Sequence, residues 1–432
     1  MHSRFPAARP RATTLPPRRV LVLALAFALL CAGVLFSMPA RSDTPYLSRP
    51  EVREFIDTLN ADHGLEVAEL ERILGDARPQ PVVVRLMGPG PRNGTPAAKP
   101  AAAASTLVPA LPPGQSPASE LESAAATSTP SPVRHGAKSR LPPYPPYRAR
   151  FVNPRRIDAA LRYWSAYEPE LRRAEAEFGV PAEVILGILG VETAFGRNTG
   201  TFRVLDALAT IAFDGRRRQD YFREELKQFL LLSSEHRLDP LAIRGSYAGA
   251  IGLPQFMPSS YRRYAVDYDQ DGRTDLLDSP ADAIGSVARF LQQSGWQPGQ
   301  AALLPVRLPR GREAQFVTGL QRSQDTAALR KAGVKFPSAD APPGACAIVA
   351  LPGTRKQPTQ YVAGFANFEA VTQYNRSTFY ATAVLQLAEA VRVARERQPG
   401  LPGTTTADTG RHADAAPRET GDRGLLPTPP ST

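Results

Sequence analysis

The spacing of apolar residues along the chain predicts a mainly helical protein. Apolar positions recur at three- and four-residue intervals in two short segments between 50 and 74, which a turn at His63-Gly64 separates. The same spacing predicts longer helices over 154–178, 180–192, 203–213, 219–238, 282–295 and 379–395. Between 301 and 365 the pattern shortens to strand-like runs at Phe316-Val317, 347–350 and 360–363. We therefore expect an α+β fold, mainly α, with a small β subdomain inserted into a helical body.

Two segments lack this periodicity and are predicted to lie outside the folded body. Pro, Ala, Ser and Thr dominate 88–140, so this insert cannot bury enough apolar surface to fold and is expected to be a disordered spacer. The tail over 399–432 is rich in Pro, Thr, Asp and Arg, and the same expectation applies. The folded body is therefore predicted to comprise 46–87 and 141–398.

Residues 1–42 carry the pattern of an export signal. Arg18-Arg19 precede an uncharged run over 20–38, which suits either a cleaved signal peptide or an uncleaved membrane anchor. The chain has only two cysteines, Cys31 in this run and Cys346 in the body, so no structural disulfide is expected. Export without disulfides indicates a bacterial periplasm, and anchoring to the inner membrane remains an open alternative.

The chain of 432 residues has a formal net charge of +11, which bears on its partners more than on its fold. A basic surface suits a polyanion such as nucleic acid, anionic lipid or an acidic cell-wall polymer. No Cys/His finger or aromatic-basic RNA-binding motif occurs, so nucleic acid is not the expected partner. H-E-x-x-H, G-x-S-x-G and phosphate-binding glycine motifs are also absent, which disfavours zinc, serine-hydrolase and nucleotide chemistry.

The most informative candidate for chemistry is Glu192, at the end of an apolar helix. Apolar residues cover most of the helix circumference between 184 and 191, which indicates that the helix is buried. Gly196 and Gly200 are expected to end it just beyond Glu192. Burial and the negative end of the helix dipole both favour a protonated carboxyl, as a general acid requires. A buried structural Glu paired with Arg197 is the alternative explanation.

A glycine-rich run from Gly245 to Tyr261 supplies neutral hydrogen-bonding groups. Ser246 and Gln255 offer a hydroxyl and an amide beside the apolar side chain of Phe256, a combination that suits sugar hydroxyls and acetamides. A structural turn that binds no ligand is the alternative interpretation.

The segment from Tyr374 to Tyr380 opens the last predicted helix and holds further candidates. Both tyrosines are predicted to present their rings to a sugar. Asn375 belongs either to the same site or, as the alternative, to the N-cap of the helix.

The segment over 267–278 has the spacing of a calcium-binding loop, with acidic residues at positions one, three, five and nine and a glycine at position six. These residues are Asp267, Asp269, Asp271, Asp275 and Gly272. Arg273, at position seven, would contribute only its backbone carbonyl. The closing ligand is either Asp278, shorter than the usual Glu, or Asp282 farther along. The loop predicts one structural Ca²⁺ or Na⁺ site, with an acidic surface turn as the alternative.

Together these motifs resemble the membrane-bound lytic murein transglycosylases of the B type, glycoside hydrolase family 103. The resemblance runs from about Tyr46 to Gln398, apart from the insert. Its most specific parts are G-V-E-T-A-F-G-R at 190–197, L-D-A-L-A-T at 205–210, R-R-R-Q-D-Y-F at 216–222, the 245–261 run and Y-N-R-S at 374–377. The resemblance identifies Glu192 as the catalytic acid. It also implies a lysozyme-like helical core with a helical N-terminal subdomain and a small β subdomain.

The resemblance also implies which residues bind glycan and metal. The matching positions of the glycan cleft are Ser246, Gln255, Phe256, Tyr221, Tyr374, Asn375 and Tyr380, with Arg217 and Arg218 as arginines that meet muramoyl or peptide carboxylates. The implied calcium ligands are Asp267, Asp269, Asp271, the backbone of Arg273 and, beyond the usual spacing, Asp282.

The implied activity is cleavage of the β-1,4 bond between N-acetylmuramic acid and N-acetylglucosamine in peptidoglycan, leaving a 1,6-anhydromuramoyl end. One Glu acts as acid and then as base without a catalytic cofactor, whereas ordinary glycosidases use two carboxylates. A hydrolytic muramidase and a non-catalytic peptidoglycan-binding scaffold are the alternatives. Proteins of cell-wall synthesis are further expected partners.

Overall fold

The computed structural model describes residues 46–88, 142–216, 218–337 and 341–397. The predicted signal segment, nearly all of the insert over 88–140 and the tail over 399–432 lie outside these ranges, so the expectations about them stay predictions. Within the described ranges, no helix is long and apolar enough to span a membrane.

Helices make up most of the described body. In chain order they are α1 (Pro50–His63), α2 (Val67–Asp76), α3 (Pro81–Leu86), α4 (Tyr144–Phe151), α5 (Pro154–Ala166), α6 (Glu168–Phe178), α7 (Ala182–Thr193), α8 (Val204–Ala209), α9 (Gln219–Glu235), α10 (Pro258–Tyr264), α11 (Pro280–Gln293), α12 (Thr326–Lys331), α13 (Ala366–Tyr374) and α14 (Thr378–Glu396). A π-helical turn over Thr210–Asp214 continues α8. The strands are β1 (Phe202–Arg203), β2 (Arg244–Gly245), β3 (Leu303–Val306), β4 (Gln324–Asp325), β5 (Ala345–Leu351) and β6 (Gln360–Gly364).

The single helix predicted over 154–178 is wrong, because two helices, α5 and α6, meet at Tyr167. Pro169 has no N–H for a helical hydrogen bond and is tolerated only in a first turn, so a new helix begins there. The short helices α3, α4, α10, α12 and α13 have six to nine residues, too few for their periodicity to be recognised in the sequence.

The small β subdomain is an antiparallel sheet with the strand order β3-β6-β5-β4. Ala363 of β6 lies between Leu304 and Ile348, and a separate apolar cluster that includes Val306, Ile348 and Phe365 packs beneath the sheet. The prediction of a strand at Phe316-Val317 is wrong. A 3₁₀ turn ends at Gln315, and Val317 is 66% exposed and pairs with no strand of the described ranges. The β propensity of these two residues is therefore not enough to form a strand.

Helix α7 lies at the centre of the body, in close contact with α14. A Cβ atom at Gly187 would lie 2.8 Å from the carbonyl oxygen of Val384, and one at Gly190 would lie 2.8 Å from Leu387 Cδ2. Because these two positions carry no side chain, the backbones of α7 and α14 approach closely along this face. The approach brings residues at the start of α14 beside the end of α7.

The N-terminal helices are attached to the core by buried polar contacts. Arg49 forms an ion pair with Asp214 at 2.6 Å, and the hydroxyl of Tyr46 donates to the same carboxylate at 2.8 Å. Arg203 pairs with Asp76 at 2.7 Å. Residues 46–88 therefore dock onto the π-helical turn and β1 through paired charges.

One buried carboxyl connects α9 to α10 and makes stability depend on pH. Burial raises the pKa of the Glu225 carboxyl, and hydrogen bonds from the N–H and hydroxyl of Ser259 oppose that rise. The folded protein then binds this proton more tightly than the unfolded chain. The unfolding free energy therefore falls as pH rises from the unfolded pKa of about 4.3 through the raised folded value.

We expect Glu225→Gln to flatten this fall, because the amide has no proton to lose. Urea midpoints measured between about pH 4 and pH 8 test the expectation. Glu51→Gln, on the exposed face of α1, is the matched control and should leave the pH dependence unchanged. The prediction would be contradicted if the urea midpoints of the native chain and of Glu225→Gln changed with pH in the same way.

Candidate active site

The end of α7 has an unusual backbone that places Glu192 at the protein surface. The helix ends at Thr193, and Ala194 and Phe195 follow with φ values of 54° and 61°, before Gly196 at 84°. Non-glycine residues seldom adopt this left-handed conformation, and two in succession store strain of the kind found at functional sites. The glycines expected to end the helix are preceded by this turn, which leaves the side chain of Glu192 only partly buried.

Thr193 fixes the turn from inside. Its side chain is fully buried, its hydroxyl donates to the carbonyl of Leu253 at 2.9 Å, and it accepts the N–H of Gly196 at 3.0 Å. The residue next to Glu192 thus connects α7 to the glycine-rich run.

We expect Thr193→Val to lower the unfolding free energy by about 1–3 kcal/mol, because buried hydrogen-bonding groups lose their partner while the side-chain volume is kept. The turnover rate should fall as well, since the turn that holds Glu192 loosens. Urea unfolding and initial cleavage rates measure the two effects. Thr58→Val, on an exposed turn of α1, is the control, and an equal effect of both substitutions would refute the assignment.

Tyr380, in the first turn of α14, is the direct partner of Glu192. Its hydroxyl donates to Glu192 Oε1 at 2.6 Å, and its side chain is fully buried. Burial, followed by the nearby charge of Glu192, raises the pKa of Tyr380 far above its usual range. The phenol therefore stays protonated and acts as a fixed hydrogen-bond donor to the carboxyl group.

The expectation that Tyr374 and Tyr380 present their rings to a sugar is wrong. Tyr374 is 3% exposed, its hydroxyl donates to the carbonyl of Pro254, and its ring stacks on that of Tyr380 at 6.4 Å. Phe256 is 2% exposed and packs against Tyr374 at 5.7 Å. These rings form a floor beneath the site, because the close approach of α14 and the glycine-rich run covers their faces.

Asn375 does not cap α14, contrary to the alternative suggested by its position. The hydroxyl of Ser377 caps this helix by accepting the N–H of Tyr380 at 3.2 Å. The Nδ2 and Oδ1 atoms of Asn375 are both buried without a hydrogen-bond partner in the described part of the chain. Such a group is costly unless water or a ligand satisfies it.

The glycine-rich run is both a turn and a wall of the site. Gln255, at φ 52°, donates from Nε2 to the carbonyls of Thr199 and Gly252, each at 2.9 Å. Ser246 Oγ accepts the N–H groups of Ala248 and Ala250 at 3.2 and 3.0 Å. Both side chains are braced by the backbone, which leaves the amide oxygen of Gln255 and the hydroxyl proton of Ser246 for a ligand.

Glu192, Ser246 and Gln255 line one cleft of about 590 Å³, together with Tyr247 and the loop over 197–202. Sequence reasoning missed Tyr247 and this loop as parts of the cleft. Their only sequence signal is their position, since Tyr247 lies inside the glycine-rich run and the loop follows the helix that carries Glu192. Arg197 is exposed in the cleft wall and forms no salt bridge within the described ranges, so no ion pair with Glu192 supports the structural alternative.

Arg218, one of the two arginines that the resemblance places in the cleft, lies apart from this lining. The guanidinium of Arg218, at the start of α9, lies 4.1 Å from the ring centre of Tyr221, a cation–π contact. Neither residue lines the cleft around Glu192. Arg217 lies outside the described residues, so its predicted role stays a prediction.

The acidic loop brings three of its predicted ligands together. Carboxylate oxygens of Asp267, Asp269 and Asp282 lie within 4.8 Å of one another. The fully buried Asp282 also accepts the backbone N–H groups of Tyr268 and Asp275, each at 2.6 Å. An all-oxygen, carboxylate-rich set fits a hard cation such as Ca²⁺.

The other predicted ligands of the loop are arranged differently. Asp271 is exposed, and its carboxylate accepts the N–H of Arg273 at 2.8 Å. The side chain of Arg273 is also exposed, which leaves its backbone carbonyl as its possible ligand. Asp278 is exposed and lies outside the cluster. Between the two alternatives for the closing ligand, the geometry favours Asp282.

The acidic loop is also connected to the cleft. The carbonyl of Leu276 accepts the N–H of Leu253 at 2.8 Å, and Leu253 in turn receives the hydrogen bond from Thr193. The hydroxyl of Tyr261 donates to the carbonyl of Thr274 and accepts the N–H of Leu276. A cation that stiffens the loop would therefore stiffen the support of Glu192.

A mainly α fold that presents one carboxyl at the end of a buried helix, in a cleft whose other lining groups are mostly neutral, defines a lysozyme-like glycan-cleaving enzyme. Residues 118–389 match the family model described as the transglycosylase SLT domain. The chain is also 35% identical over 351 residues to the membrane-bound lytic murein transglycosylase B of Escherichia coli (strain K12), covering 81% of this chain and 85% of the relative. The chain therefore belongs to the transglycosylase SLT family and is a lytic transglycosylase that cleaves peptidoglycan.

Solved structures agree with this family and with the predicted fold class. The soluble lytic transglycosylase SltB1 of Pseudomonas aeruginosa superposes with a TM-score of 0.64 at 34% identity, over 80% of this chain and 99% of that one. Escherichia coli Slt35 in complex with calcium gives a TM-score of 0.64 at 34% identity, over 80% of this chain and 94% of that one. The expected lysozyme-like α+β architecture is confirmed.

Proposed function

We propose that Glu192 performs both proton transfers in the cleavage of the β-1,4 bond between N-acetylmuramic acid and N-acetylglucosamine. The protonated carboxyl gives its proton to the glycosidic oxygen as the bond from that oxygen to C1 of the muramoyl sugar breaks. The resulting carboxylate then takes the proton of the C6 hydroxyl as O6 bonds to C1. The products are a 1,6-anhydromuramoyl end and a free N-acetylglucosamine hydroxyl, and no water is consumed.

One observation carries this proposal: among the described residues that line the cleft, Glu192 alone carries a carboxyl group. Ordinary glycosidases place two carboxyl groups about 5–10 Å apart, one on each side of the scissile bond. With a single carboxyl, the same group serves as acid and base, and a nucleophile within the substrate removes the need for a second carboxylate that activates water as a base.

The surrounding groups are suited to orient the sugar and the acid. Tyr380 holds one carboxyl oxygen of Glu192 and so limits its rotation. The hydroxyl of Ser246 and the amide oxygen of Gln255 offer a neutral donor and a neutral acceptor for sugar hydroxyls and the N-acetyl group. Asn375 is fully buried and does not line the cleft, so its predicted contact with the glycan stays a prediction. Neutral partners recognise a glycan without trapping the charge of the catalytic carboxyl.

Mass spectrometry of digested, purified peptidoglycan tests the reaction. A transglycosylase releases anhydromuramoyl products, and none should acquire ¹⁸O when digestion takes place in labelled water. Reducing ends that carry ¹⁸O would instead identify a hydrolytic muramidase, and intact strands would identify a non-catalytic scaffold.

We also infer that the acidic loop binds one structural calcium ion, held by Asp267, Asp269 and Asp282 with the backbone of Arg273, and that Asp271 completes the site. The relative Slt35 has a structure titled as a calcium complex, which supports this choice of ion. The ion would brace the loop, and the chemistry at Glu192 would proceed without it as a reactant.

For localisation, we propose export to the periplasm directed by residues 1–42, with the body over 46–87 and 141–398 acting on the wall. The relative from Escherichia coli is named membrane-bound, which supports a location at a membrane. Fractionation of cells, with N-terminal sequencing of the mature chain, distinguishes a cleaved signal peptide from an anchor.

A further inference from the structure

We propose that Arg197 forms a carboxylate-binding subsite in the cleft, so that the enzyme selects glycan strands bearing a carboxylate near the scissile bond. The carboxylate belongs to the lactoyl ether of the muramoyl sugar or to the stem peptide attached there. This inference rests on the proposed function and names the feature by which its substrate is selected.

The position of Arg197 is fixed by the turn at the end of α7. The residue follows Gly196, and the next N–H, that of Asn198, donates to the carbonyl of Thr193 at 3.0 Å. Arg197 therefore lies five residues beyond Glu192, on a backbone that is tied to the catalytic helix. Both residues line the same cleft.

A second arginine strengthens the positive charge at this place. Arg156 of α5 donates to the carbonyl of Gly190 in the last turns of α7. Burial, followed by repulsion from Arg197, lowers the pKa of Arg156, which indicates that the two cations lie close enough to interact. Two guanidinium groups thus flank the end of the helix that carries Glu192.

Neither cation has a carboxylate partner in the described part of the chain. Three other arginines of the described body do have such partners: Arg49 with Asp214, Arg203 with Asp76 and Arg395 with Glu168. Two unneutralised cations beside a cleft create a local potential that attracts an anion. A guanidinium also matches a carboxylate in geometry, because it donates two parallel hydrogen bonds.

The chemistry of the substrate supplies that anion. N-acetylmuramic acid differs from N-acetylglucosamine only by the lactoyl ether at O3, which ends in a carboxylate or continues into the stem peptide with its own carboxylates. The neutral groups of Ser246 and Gln255 suit the hydroxyl and N-acetyl groups that both sugars share. A cation within the cleft binds the lactoyl group or its peptide extension through a carboxylate, and this substituent is what distinguishes N-acetylmuramic acid from N-acetylglucosamine.

Binding in a background that cannot turn over tests the proposal. Isothermal titration calorimetry on Glu192→Gln compares three tetrasaccharides of alternating N-acetylglucosamine and N-acetylmuramic acid. One carries free lactoyl carboxylates, one carries lactoyl methylamides and one carries stem peptides. We expect the first or the third to bind about tenfold more tightly than the methylamide, the effect of one charge-assisted hydrogen bond. Which of the two shows the preference identifies the source of the carboxylate.

Adding Arg197→Gln to the Glu192→Gln background should remove the preference for the glycan that carries the carboxylate. Arg197→Lys in the same background should keep part of this preference. Arg355→Gln, an equal change of charge on an exposed turn of the β subdomain, is the control and should keep it in full. An unchanged preference in Arg197→Gln, or an equal loss in the Arg355 control, overturns the inference. Anhydromuramoyl products from the native enzyme would still support the proposed function, so the two failures are distinguishable.

Discussion

Replacement of Glu192 by glutamine is expected to lower the turnover number for peptidoglycan cleavage by about 10³-fold or more, because the one carboxyl lining the cleft is lost as both acid and base. The amide oxygen still accepts the hydroxyl of Tyr380, so the fold and the glycan affinity should remain. Release of soluble muropeptides, quantified by chromatography and mass spectrometry, measures the rate. Thermal unfolding measures the fold.

Glu183→Gln provides the matched control for this substitution. Glu183 lies in the first turn of the same helix, about two and a half turns away from Glu192, and does not line the cleft. Its replacement should leave the cleavage rate within about twofold, because the side chain of Glu183 does not line the cleft. Full activity of Glu192→Gln would identify another group as the acid and overturn the proposed mechanism.

The largest expected effect on stability comes from Asp282. Asp282→Ala is expected to lower the unfolding free energy by about 3 kcal/mol or more, because backbone N–H groups of Tyr268, Asp269 and Asp275 lose their acceptor. Asp282→Asn keeps an acceptor oxygen and should cost less, while it still weakens cation binding. Urea unfolding with and without calcium, after removal of metal by a chelator, measures both effects.

Calcium should stabilise the native chain by mass action, by about 2.7 kcal/mol at one hundred times the dissociation constant. Asp282→Asn should abolish most of this gain. Asp278→Ala should retain it, because Asp278 is exposed outside the cluster of carboxylates. The reverse result would make Asp278 the closing ligand, and no calcium effect in the native chain would remove the cation site altogether.

The sequence predicts the position of Glu192 well, because a helix that is apolar all round signals burial without any knowledge of tertiary contacts. The sequence does not predict whether Tyr380 contacts a ligand through its ring or donates a hydrogen bond through its hydroxyl. The same aromatic side chain serves as a ring platform or as a hydroxyl donor, depending on which helix packs over it. The close packing of α14 against α7 decides between these, and it depends on pairs of residues far apart in the chain.

Other differences have local causes that sequence patterns miss. Ala194 and Phe195 adopt left-handed conformations that their residue types disfavour, so the shape of the turn before Arg197 depends on tertiary support. The closing ligand of the acidic loop stays open in the sequence because Asp282 belongs to the next helix. Only the fold of the loop against α11 brings its carboxylate to Asp267 and Asp269.

The glycine-lined contact between α7 and α14 also determines when the enzyme becomes competent. Glu192 and Tyr380 are 188 residues apart, so the acid acquires its hydrogen-bond partner only when the last helix of the described body has docked. Local release of α14 would expose the core and disconnect the acid in one event. Peptidoglycan cleavage therefore requires a completely folded chain. Chains that are still unfolded, or that proteolysis has truncated before α14, lack the pair of Glu192 and Tyr380.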